Sequence, residues 1–139
     1  MDRKCLLAGL ATGVLSLLAG FLVHGQLLGA EYAKLGNLFR PQAQQATMFP
    51  YMVVAHLIFG LAFAWVYLQG KKAGVGTLGQ GARYGLAVAL LAVVPMYLIY
   101  YAVQPMPGTL VAKQILFDGV VMVLLGIAIA YMLRAPGEA

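Results

Sequence analysis

The chain has 139 residues, of which 63% are hydrophobic and only 9% charged, with a net charge of +5 and a mean hydropathy of +0.88. A water-soluble domain carries about 25% charged residues, so this composition excludes one: polar groups are too few to cover the outside, and lipid must cover it instead. The positive charge does not point to nucleic acid, because Lys and Arg stand at the ends of apolar runs and form no basic stripe.

The first apolar run follows Asp2-Arg3-Lys4 and extends over Cys5–Leu28. It outruns the roughly 7 to 15 residues of a signal-peptide core, and no small-x-small cleavage site follows it, so a spanning helix is expected. Cys5 is the single cysteine, which excludes an intrachain disulfide or a cysteine metal cluster. Ala8, Thr12, Ser16, Gly20 and His24 recur at four-residue spacing, with Gly9 and Gly13 beside them. Such rows of small residues let helices approach in lipid, where apolar burial alone gains little.

The connection Gly29–Met48 follows, and within it Ala30–Phe39 is expected to form a short helix on the membrane surface before Pro41, a lid over what lies beneath. Arg40 in this loop is a candidate to neutralise an anionic ligand or a lipid headgroup. The second helix is expected over Phe49–Gln69, with the row His56, Gly60, Ala64. The loop Gly70–Gly81 is glycine-rich and expected to be flexible. The third helix is expected over Ala82–Val103, with Gly81, Gly85, Ala89, Val93, Tyr97 and Tyr101 in one row and a kink at Pro95. Gln104-Pro105-Met106-Pro107-Gly108 is tight and stiff, which predicts an antiparallel hairpin with the fourth helix, Leu110–Leu133. That helix offers Asp118, Met122, Gly126 and Ala130, with Gln114 one turn away from the aspartate.

Each run meets the roughly 20 residues needed to cross about 30 Å of hydrocarbon. Uniformly apolar runs exclude a β-barrel, whose strands alternate. The expected fold is therefore all-α, an integral membrane four-helix bundle forming one transmembrane domain over residues 1–139. Arg3, Lys4, Lys71, Lys72, Arg83 and Arg134 gather on one side, against Lys34, Arg40 and Lys113 on the other, so both termini are expected in the cytoplasm. Tyr32, Tyr51, Tyr100, Tyr101 and Tyr131 suit the two interfaces.

At about 1.5 Å per residue, His24, His56, Tyr97 and Asp118 fall within a layer about one helical turn thick in the outer leaflet. An ionised Asp at membrane depth costs about 2.5 to 3.5 kcal/mol, so Asp118 should face the interior and pair there. A histidine is the preferred partner; Lys113, which can snorkel outward, is the weaker one. The expectation is a polar chamber binding a small ligand or metal ion: His24, His56 and Asp118 as metal ligands, and Tyr97, Tyr101, Gln114 and Arg40 as ligand-binding residues. Two imidazoles and a carboxylate suit a divalent metal such as zinc or iron. Haem b between His24 and His56, with Gly20 and Gly60 making room, is a second option, and a proton or ion relay is a third. No nucleophile elbow, phosphate loop or dinucleotide fingerprint supports an enzyme. The competing expectation is an accessory subunit or homodimer partner whose small-residue rows dock a larger membrane complex and whose polar groups only fix helix register.

In Pro50–His56, Leu98–Gly108 and Lys113–Asp118 the chain resembles small bacterial inner-membrane proteins of unassigned function, over nearly its whole length. More loosely, it is similar to a family of four-helix membrane proteins of unknown function. That resemblance implies a bacterial inner membrane and carries no catalytic residues.

Overall fold

Asp2 starts the first helix by accepting the Cys5 backbone N–H at 2.7 Å, which satisfies one of the donors a helix leaves open at its beginning. The structure, a computed structural model, describes residues 2–36 and 38–135, without the side chains of Gln42 and Ala43. Helix α1 covers Arg3–Gly20 and continues as a wider π-helical segment, Phe21–Leu27. A short α2 covers Gly29–Ala33, and α3 covers Gln42–Gly70. The next span is α4, Thr77–Val88, then a π segment Ala89–Val93, then α5, Val94–Val103; α6 is Gly108–Met132. Among the described residues there is no strand. Four helical stretches among the described residues are long and apolar enough to cross a membrane: Arg3–Leu27, Gln44–Gly70, Thr77–Val103 and Gly108–Met132.

The departures from the expected boundaries have physical reasons. Helix α3 begins at Gln42, well before Phe49, because hydropathy sees only apolar turns and Gln42–Thr47 is polar yet free of helix breakers. Pro50 sits inside the helix and takes only the hydrogen bond to the Ala46 carbonyl, in a stretch where residues 44–52 are exposed. Pro95 is met by the π segment directly before it, in which the Val94 N–H reaches back to the Ala89 carbonyl. Widening the turn gives room to a ring that would otherwise clash with the carbonyl four residues earlier. The short helix in the first loop ends at Ala33, earlier than Phe39, and Lys34–Gly36 form a turn.

Glycines decide which helices pair. A Cβ on Gly60 would fall 2.6 Å from Gly13 Cα, and one on Gly9 would fall 2.9 Å from Leu61 Cα, so α1 and α3 touch backbone to backbone. The pair α4 and α6 repeats this, with Gly85 against Val123 and Gly126 against Gly85 and Gly81. Close approach of this kind replaces the hydrophobic drive that lipid removes. The hydroxyls along α1 are satisfied within their own helix, Thr12 on the Ala8 carbonyl and Ser16 on the Gly13 carbonyl, both at 2.9 Å.

The two pairs meet along α1 and α6. A core of Cys5, Ala8, Phe63, Ala64, Tyr67, Leu125 and Ile129 lies toward the end holding both termini. At that end Lys4 and Lys71 donate to the carbonyls of Arg134 and Leu133, at 2.6 and 3.0 Å, placing cations at the negative end of α6. A second core of Val23, Leu28, Val93, Tyr97, Met106 and Leu110 fills the opposite end. Outward, Leu91 is 80% and Val103 71% exposed, a surface suited to lipid.

Candidate functional site

Four elements deliver polar side chains to the second core. The π segment carries His24, α2 carries Tyr32, α5 carries Tyr97, and α6 carries Gln114 and Asp118 one turn apart. The π segment matters here, because a turn widened by one residue re-aims every side chain above it relative to an α-helical continuation; Leu28 N–H closes it on the Val23 carbonyl at 2.8 Å.

His24 Nε2 lies 3.3 Å from Asp118 Oδ2, and the Tyr97 hydroxyl donates to the same oxygen at 2.5 Å. The Asp118 side chain is 15% exposed and that of His24 35%. His24 Nδ1 is 2.7 Å from the Tyr32 hydroxyl, which accepts from Gln114 Nε2 at 2.8 Å. With a neutral ring the donors run in one direction: Gln114 amide to Tyr32, Tyr32 O–H to Nδ1, Nε2–H to Asp118. Burial raises the Tyr32 phenol above its ordinary range, with Asp118 adding to the rise and the Gln114 hydrogen bond opposing it, so Tyr32 keeps its proton as the donor in this chain. Gln114 is buried, and its Oε1 has no hydrogen-bond partner among the described residues.

Above this centre, Lys113 Nζ meets Glu31 Oε1 at 2.8 Å, and Lys34 stands 3.5 Å from the other carboxylate oxygen. The Lys113 hydrogen bond, then its charge, then that of Lys34 hold the Glu31 carboxyl below its usual range. A lowered carboxylate stabilises the fold above its unfolded titration point and ceases to do so as pH falls through the folded one. The unfolding midpoint of wild type should therefore exceed that of Lys113→Gln slightly above about pH 4.5, and the gap should close as pH is lowered further. A gap that persists at the acid end would contradict the pairing.

The structure brings together His24, Tyr97, Gln114 and Asp118, and the other expected site residues make other contacts. His56 donates Nδ1–H to the Met52 carbonyl of its own helix at 2.7 Å, and its Nε2 faces Gly20. Among the described residues no three of His, Cys, Asp and Glu are grouped to hold a metal ion, so the set His24, His56, Asp118 is not assembled. Space for haem b beside Gly60 is likewise filled, by the backbone of Gly9 and Gly13. Tyr101 is 51% exposed and lies over Gly108. Arg40 is exposed in the loop, its carbonyl accepting from Gln45 at 2.7 Å. Lys113 is taken by Glu31, and His24 is the partner of Asp118. Tyr32, read from sequence only as an interfacial aromatic, is a full member of the centre; its position in the loop segment expected to act as a lid was the available signal.

The architecture is that of a multi-pass membrane protein with a buried polar centre at one end. No protein-family model, curated protein or solved structure matches the chain.

Proposed function

We propose that this is a bacterial inner-membrane protein, with both termini in the cytoplasm and α2 lying at the outer surface, that binds a small metal cation at the His24–Asp118 centre. The observation that carries the reading is the Asp118 carboxylate, 15% exposed within an apolar span and held between His24 at 3.3 Å and Tyr97 at 2.5 Å. A carboxylate at that depth is expensive to insert, and such residues mark ion and substrate sites. The other acceptors at hand are oxygens: the buried, unpartnered Gln114 Oε1 and the hydroxyls of Tyr32 and Tyr97. Carboxylate and carbonyl oxygens suit hard cations, and the imidazole at their edge broadens the choice to transition metals. The resemblance to small bacterial inner-membrane proteins and the excess of Lys and Arg beside the termini support the location and orientation.

The test is the unfolding midpoint of the purified protein titrated with Na⁺, Mg²⁺, Mn²⁺ and Zn²⁺. One of them should stabilise the wild type by about 2.7 kcal/mol at a hundred times its Kd, and should leave Asp118→Asn and Gln114→Leu unmoved. Indifference of the wild type to all four would remove the proposal.

One observation favours the rival reading of an accessory or homodimeric subunit. Both ring nitrogens of His24 and both tyrosine hydroxyls already have partners within the chain, as expected of a network that fixes helix register. On that reading no cation acts, and the protein co-purifies with a fixed partner or a second copy.

A further inference from the structure

At the end opposite the polar centre, a cavity of about 260 Å³ opens between the close of α3 and the start of α4. Lys72, Arg83, Gln80, Tyr67, Tyr84 and Val75 line it. We infer that this cavity seats the phosphate of an anionic phospholipid headgroup, with Lys72 and Arg83 as its counter-charges; the inference rests on the chain lying in a membrane and is independent of the cation site.

Three features support a built site. First, the loop carrying Lys72 has a defined shape despite its glycines. Gln80 Oε1 accepts the Lys72 backbone N–H at 2.5 Å, and Gln80 Nε2 donates to the Tyr67 hydroxyl at 3.4 Å, so one side chain ties loop, α3 and α4 together. Second, the aromatic wall is fixed: Tyr84 donates to the Phe63 carbonyl at 2.7 Å, and its ring sits 5.3 Å from that of Tyr67, edge to face. Third, five of the six basic residues of this end divide by role. Lys4 and Lys71 bond to the carboxyl-terminal carbonyls of α6, and Arg134 lies 5.6 Å over the Tyr131 ring, whereas Lys72 and Arg83 are exposed and border the cavity. Two cations over a pocket walled by tyrosine rings and an apolar side chain match a headgroup whose charge is at the membrane surface and whose glycerol and first methylenes run inward. Basic pockets between spanning helices bind anionic lipid headgroups in this way.

The experiment is native mass spectrometry of the full chain in mild detergent, with phosphatidylglycerol and phosphatidylcholine supplied in equal amounts. Wild type should retain phosphatidylglycerol over phosphatidylcholine. Lys72→Gln or Arg83→Gln should each weaken that retention about fivefold, and the pair about 25-fold. Lys113→Gln, at the other end, should leave it unchanged. Both cavity side chains are exposed, so an unchanged unfolding midpoint in the double variant confirms that the fold survives. Equal retention of the two lipids, or a double variant that holds phosphatidylglycerol like wild type, would overturn the assignment. Stabilisation by inorganic phosphate alone, without selection of the anionic lipid, would overturn it as well and give the site to the free anion.

Discussion

Gly60→Ala is expected to lower the unfolding free energy by about 3 kcal/mol, the upper end of the range for overpacking. The new methyl would fall on Gly13 Cα, 2.6 Å away, and still closer to the Gly13 nitrogen and the Gly9 carbonyl oxygen. All three are backbone atoms of α1, so no side-chain rotation makes room and the helices must separate. Separation weakens the long contact of α1 with α3, through which the first pair of spans is formed. Gly85→Ala should act alike on α4 and α6, its methyl meeting Val123 Cα at 2.6 Å. Gly119→Ala is the internal comparison, because nothing lies within 4 Å of its added carbon and alanine is the better helix former by up to about 1 kcal/mol; it should be neutral or mildly stabilising. Equilibrium unfolding in mixed detergent micelles, followed by circular dichroism, distinguishes the three. Equal stability of Gly60→Ala and wild type would mean that α1 and α3 do not pack as described.

Asp118→Ala is the second large effect, also expected near 3 kcal/mol. It leaves the Tyr97 hydroxyl, within a residue 6% exposed, without its acceptor, and leaves His24 Nε2 facing no charge. An orphaned buried donor costs about 1 to 3 kcal/mol; two donors, the Tyr97 hydroxyl and His24 Nε2–H, lose their acceptor here, and the partial exposure of His24 keeps its share small. Asp118→Asn retains an oxygen acceptor at the same place and should lose roughly half as much. Tyr97→Phe removes only one hydrogen bond and should lose about 1 kcal/mol. An Asp118→Ala protein with wild-type stability would show that the carboxylate has no part in holding α6 to α1 and α5.

Much of this arrangement was legible in the residues. The four spans follow from length and hydropathy, and the hairpin of the last two spans from the tight Gln104–Gly108 connection; the rows holding Gly9, Gly13, Gly60, Gly81, Gly85 and Gly126 marked packing faces, but which face meets which is seen only in the structure. That Asp118 seeks a histidine followed from the penalty on a buried carboxylate, but the choice of His24 over His56 did not. Depth along a helix was readable at 1.5 Å per residue, whereas direction around the helix was lost once a π segment intervened at Phe21–Leu27. His56 looked like a ligand because its depth matched, yet its ring is engaged by the carbonyl one turn back in its own helix, a local bond that spacing does not reveal. The extension of α3 into Gln42–Phe49 was hidden because a helix continuing past the hydrocarbon into polar surroundings carries no apolar signal. Tyr32 was hidden because a loop residue reaches the centre only after the chain turns back over it.

The reading depends most on a direct contact between His24 and Asp118 across the α1–α6 seam. A double-mutant cycle of His24→Ala and Asp118→Ala, with unfolding free energies of wild type, both single variants and the double variant, measures that contact without reference to any ligand. A coupling of about 1 kcal/mol or more is expected, with the double variant less damaged than the sum of its parts. Strict additivity of the two substitutions would mean that the side chains do not interact, and the polar centre would lose its core.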